Sequence, residues 1–119
     1  MVEQPQYNLF NRENLEVRYK RLFENKKLGT TIWSPLAGGV LTGKYNQGIP
    51  EDSRYTKNPE LVRLFEPYFG EKTKEKTIKS LNQFSDLAKE LDCSMAQLAM
   101  AWCISNPDVT TAITGASRP

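Results

Sequence analysis

The chain has 119 residues, 39% hydrophobic and 25% charged, with a formal net charge of +2. That length suits one modest domain, and the basic residues are interleaved with acids, which argues against a nucleic-acid-binding face. Histidine is absent, so Ser-His-Asp and Cys-His catalysis within this chain are excluded and the commonest zinc ligand is missing. Cys93 and Cys103 match no metal or redox motif, and reduced, buried thiols of an intracellular protein are expected. No apolar run is long enough to span a membrane, and MVEQPQYN is not a signal peptide. The expected protein is cytosolic and not membrane-embedded.

Residues 2–7 read as the end of a strand, since Pro5 is tolerated there but not in a strand's middle. Little chain precedes it, a first hint of truncation. Residues 8–11 read as a loop with Asn11 as an N-cap. Leu15, Tyr19, Leu22 and Phe23 then fall at helical spacing, Lys26 and Lys27 suit a helix C-terminus, and Gly29 suits the stop. Thr30 to Ser34 is the next strand. Pro35 breaks it, about one helical turn follows over 36–42, and residues 44–56 are rich in turn formers.

Asn58-Pro59 opens a short helix that Pro67 or Gly70 ends. The clearest helix spans Glu71 to Leu91, with Ile78, Leu81, Phe84, Leu87, Ala88 and Leu91 on one face and lysines on the other. Ser94 and Gln97 have capping-box spacing at the start of a nearly uncharged, buried helix, which Asn106-Pro107 ends. Val109 to Thr114 is a last strand. Strands joined through helices imply a parallel sheet and an α/β fold. Three strands alone leave two edges open, so the domain reads as unfinished.

In parallel α/β folds, ligands sit outside the carboxyl ends of the strands. Three such ends occur here. Gln4 offers an amide that could pair with another amide or lie under a flat ring, or is simply a loop residue. Trp33, Ser34, Pro35, Leu36 and Ala37, followed by Gly38, either present backbone N–H groups to a phosphate or form a tight turn. Gly115, Ser117 and Arg118 suit a phosphate monoester, or equally a surface turn. The five tyrosines lack a Lys or His partner that would make one a general base.

Taken together, EQPQYNLF (3–10), WSPLAGGVLTGKY (33–45), IPEDSR (49–54), LAMAWC (98–103) and ITGASRP (113–119) resemble the aldo-keto reductases. The similarity is greatest to the branch of voltage-gated potassium channel β subunits and their fungal and plant relatives. It runs essentially end to end, with the blocks in the right order.

The resemblance implies NADP(H)-dependent carbonyl reduction on a (β/α)8 barrel, which takes about 250 residues. This chain would supply strands six to eight and their helices, the C-terminal fragment of one such domain over 1–119. Gln4 would face the nicotinamide, and Trp33, Ser34, Pro35, Leu36, Ala37 and Gly38 would wrap the pyrophosphate. Lys44 and Arg54 would belong to a loop over the cofactor. Gly115 and Ser117, with Arg118 beside them, would hold the adenosine 2′-phosphate.

The family's catalytic Asp, Tyr, Lys and His correspond to no position here, so no catalytic residue is expected and the isolated chain should be inactive. A second reading is a regulatory or scaffold protein that binds a channel or a full-length paralogue. A third is a truncated gene product without a function of its own.

Overall fold

β-Branched residues at Thr30, Thr31 and Ile32 keep the backbone extended, and they form the centre of a three-stranded parallel sheet. The computed structural model describes residues 1–53 and 55–115. Strands β1 (Val2–Glu3), β2 (Gly29–Trp33) and β3 (Thr111–Ile113) lie in the order β1-β2-β3. Val2 pairs with Gly29 and Glu3 with Thr30, while Thr31, Ile32 and Trp33 pair with Thr111, Ala112 and Ile113. The fold is therefore α/β with a parallel sheet, as the alternation of strands and helices predicts.

The chain divides into two compact units, Met1–Leu41 with Ala96–Pro119, and Thr42–Met95. The first holds the sheet. Side chains alternate across β2, so Thr30 and Ile32 are fully buried on one face. There Tyr7, Leu15, Ile32 and Cys103 form a core, with Phe23, Trp102, Val109 and Ala112 packed against it. The opposite face is open: Val2 is 69% exposed, and Trp33 and its neighbour Ile113 are each 44% exposed.

The first helical segment departs from expectation. Asn11 is not an N-cap; its backbone N–H donates to Asn8 Oδ1 and its side chain to Gln6 Oε1. A π-helical turn spans Asn14–Arg18, and α1 follows over Lys20–Lys26. Gly29 is not the stop. Lys27 takes the left-handed position at φ 49°, which frees Gly29 to begin β2.

In the second unit, α2 runs over Pro59–Phe69, with the Asn58 side chain accepting from Glu60 N–H at 3.0 Å. Pro67 lies inside this helix and Gly70 ends it. The Tyr45 ring packs edge-on against Tyr55, Phe65 and Phe69, and the Phe65 ring tilts on Tyr55 and stacks on Phe69, with no centroid separation above 6.4 Å in these pairs.

Helix α3 covers Lys74–Glu90 and buries Thr77, Leu81 and Ala88. Leu87 and Leu91, expected on its covered face, are 45% and 57% exposed. Helix α4 (Met95–Ser105) is buried along Met95, Ala99 and Cys103, whereas Ile104 is 59% exposed, so it is covered on one side only. Cys103 is buried and Cys93 only half-buried, both as free thiols. No helix among the described residues is long and apolar enough to cross a membrane.

Candidate functional site

Where β2 ends, Pro35 cannot donate to a sheet ladder, and the chain turns sharply. Ser34 takes φ 56°, and Ala37, Gly38 and Gly39 follow at φ 49°, 63° and 98°. Left-handed backbone is strained for serine and alanine and easy for glycine. Such strain clusters at binding loops. The segment Ala37–Thr42, kinked at Gly38 and Gly39, buries Ala37, Val40 and Leu41.

The loop satisfies much of its own backbone. Ala37 N–H donates to the Ser34 carbonyl at 3.0 Å, and Gly39 N–H to the Leu36 carbonyl at 2.9 Å. Gly38 N–H donates to Ser34 Oγ at 3.2 Å. The Ala37 N–H, expected to face a phosphate, is thus engaged within the turn, as are those of Gly38 and Gly39. Two donors remain. Ser34 Oγ accepts from Gly38, so its own O–H stays available to donate. Leu36 N–H has no acceptor among the described residues.

Gln4 is exposed and directly follows β1. Pairing continues past it: Trp33 N–H donates to the Pro5 carbonyl at 3.1 Å, Gln6 bridges Trp33, and Tyr7 N–H donates to the Trp33 carbonyl at 3.3 Å. The strand-end residue level with Trp33 is therefore Gln6, which the sequence reading passed over.

Trp33 and Ile113 stand side by side on the open face. Pro35 and Ala37 are buried, Ser34 and Leu36 half-buried, and Gly38 exposed. Gly115, two residues beyond β3, is exposed with open space on its Cβ side. Lys44 belongs to the second unit, where its ammonium lies 5.1 Å from the Tyr45 ring centroid. Arg54, Ser117 and Arg118 lie outside the described residues.

A residue with no motif signature underlies the loop. Asn8 is fully buried, and its amide donates to the Ser34 carbonyl at 2.9 Å. Cys103 Sγ donates weakly to the Pro35 carbonyl at 3.9 Å, and burial pushes its thiol up to about 11. Tyr7 behaves in the same way. Burial, opposed by the Asn106 side chain and helped by Glu16, pushes its phenol up to about 12. The phenol is therefore held in its protonated, neutral form near neutrality.

A family model described as "Aldo/keto reductase family" matches residues 1–119. The chain is 44% identical over 119 residues to a probable voltage-gated potassium channel subunit beta of Oryza sativa subsp. japonica. It is 43% identical over 119 residues to the Arabidopsis thaliana protein of that name, and 42% identical over 122 residues to a putative one of Schizosaccharomyces pombe. These matches cover 99%, 99% and 100% of this chain but 35%, 35% and 34% of the relatives. Among solved structures, a glycerol dehydrogenase of Gluconobacter oxydans is similar with a TM-score of 0.72 and 26% identity, over 97% of this chain and 33% of that one. The chain spans about a third of the length of the proteins it matches.

Proposed function

The chain belongs to the aldo/keto reductase family, and on that footing we propose that residues 1–119 are the C-terminal part of an NADP(H)-dependent oxidoreductase barrel. In this reading β1, β2 and β3 are strands six to eight of a (β/α)8 fold. The open sheet face supports it: parallel sheets are ordinarily covered on both sides, and here the face of Val2, Trp33 and Ile113 is bare. The remaining strands of a barrel would cover it.

The observation that carries the cofactor assignment is the turn after β2. It leaves a serine O–H and the Leu36 N–H as donors beside a glycine without a side chain, which fits a pyrophosphate oxygen. Trp33, Ser34, Pro35, Leu36, Ala37 and Gly38 would line that group. Gln4 and the open ring of Trp33 would meet the nicotinamide. Gly115, Ser117 and Arg118 would receive the 2′-phosphate, and Lys44 and Arg54 would add positive charge over the cofactor. That cationic and hydroxyl set is the reason for NADP(H) rather than NAD(H). The bound cofactor would supply a hydride to a carbonyl carbon. The proton donor would come from the family's Asp, Tyr, Lys and His, none of which has a counterpart in these residues.

A Trp102→Phe chain isolates Trp33 as the fluorophore. Its emission falls on titration with NADPH and falls less with NADH at equal concentration, while the 119-residue chain alone turns over no aldehyde. A flat titration of folded protein overturns the cofactor assignment, and chain-dependent turnover overturns the inactivity.

A second reading rests on the relatives' names: the protein binds a potassium channel, or a full-length paralogue, as a regulatory partner. Co-purification with a channel's cytoplasmic domain in the absence of NADPH quenching would favour it.

A further inference from the structure

Asn8 is fully buried, and its carboxamide is directed at backbone on two loops. Its Oδ1 accepts from the N–H groups of Phe10 and Asn11, both at 3.0 Å, which closes the turn after β1. Its Nδ2 donates to the Ser34 carbonyl at 2.9 Å, across 26 residues of sequence. A buried amide is unfavourable unless hydrogen-bonded, so its two ends fix the two loops against each other. The same carbonyl also accepts from Ala37 N–H at 3.0 Å. Ser34 is the residue at φ 56° whose hydroxyl receives Gly38 N–H. One side chain thus pins the carbonyl of a left-handed, non-glycine residue in the turn after β2.

We propose that Asn8 is the positioning residue of that turn: it holds Ser34 left-handed and so sets the direction of the Ser34 O–H and Leu36 N–H. That these donors face a cofactor phosphate rests on the reading above; that Asn8 fixes their geometry does not. Asn8→Asp separates the two ends of the amide. It keeps one oxygen to accept from Phe10 and Asn11 but sets the other carboxylate oxygen, rather than an N–H, against the Ser34 carbonyl. Asn8→Ser is the milder companion should the aspartate unfold the chain.

In the folded variant, amide hydrogen exchange at Ala37 and Gly38 accelerates at least tenfold, while Ile32 and Ala112 in the β2–β3 ladder stay within twofold of the parent. In parallel the Kd for NADPH rises at least tenfold. Unchanged exchange at Ala37 and Gly38 overturns the positioning role, and so does an equal acceleration throughout the sheet, which would mark general destabilisation. A parent chain that ignores NADPH, with exchange still loosened locally by the variant, defeats the cofactor reading and leaves the positioning role standing. A loosened turn with unaltered NADPH affinity overturns the link between Asn8 and the ligand.

Discussion

Tyr7 shows how much one side chain ties together. Its hydroxyl donates to Glu16 Oε1 at 3.0 Å and accepts from Asn106 Nδ2 at 2.9 Å, and its ring stacks on Trp102 at 5.0 Å. Its phenol and the Cys103 thiol both have folded pKa values above their ordinary values of 10.0 and 9.0. The folded state therefore favours the neutral forms. Stability from these groups is complete below pH 9 and is lost as pH rises through about 11 to 12. A melting temperature flat from pH 7 to 9 and falling steeply above 10 is the expected profile, read by circular dichroism. Tyr7→Phe should lower it at neutral pH, since Glu16 and Asn106 lose a partner, while flattening the alkaline fall. Of this network the sequence discloses little. Tyr7 falls within a strand-like run and Asn8 within a loop-like one, and what distinguishes them is which distant atoms, Asn106 and Ser34, the fold brings within reach.

At the scale of elements, local chemistry was legible where the chain itself decides. Pro35 ends β2, Asn58 caps α2, and Asn106-Pro107 follows α4, because each acts on backbone within a few residues of itself. Competition between neighbours was harder to foresee. Gly70, rather than Pro67, ends α2, its N–H donating to the Glu66 carbonyl at 2.9 Å. A Cβ at Gly70 would stand 2.7 Å from that carbonyl oxygen, too close for any atom to accept unchanged. Gly70→Ala is thus expected to destabilise the Thr42–Met95 unit by about 1–3 kcal/mol, measurable as a lower urea midpoint. The apolar stripe of α3 was visible in its spacing, but which part of a wide stripe is covered depends on the neighbour. Thr77, Leu81 and Ala88 are buried, and Leu87 and Leu91 are not. The π-helical turn at Asn14–Arg18 has no counterpart in helical periodicity, which assumes 3.6 residues per turn throughout.

At the scale of the molecule, the sheet of the first unit is covered on one side only. Val2 and Ile113 on its bare face predict self-association of the isolated chain at micromolar concentration. Ile113→Lys and Val2→Lys should each raise the monomer fraction in analytical ultracentrifugation without lowering helix content; an unaltered distribution would count against that face. The strands themselves and the turn after β2 were readable because each is written in contiguous residues. The separation of the paired strands has a further result. Thr30 and Thr110 bond across 80 residues, and the whole Thr42–Met95 unit lies between β2 and β3 in the chain. On a ribosome, β2 must therefore wait with an unpaired edge while that unit is synthesised and exposed to the cell. The intervening helices can form from local contacts long before then. β3 can pair with β2 only after that whole unit has been made, so a slow or crowded closure of this long loop would leave the β2 edge as the segment most in need of a chaperone.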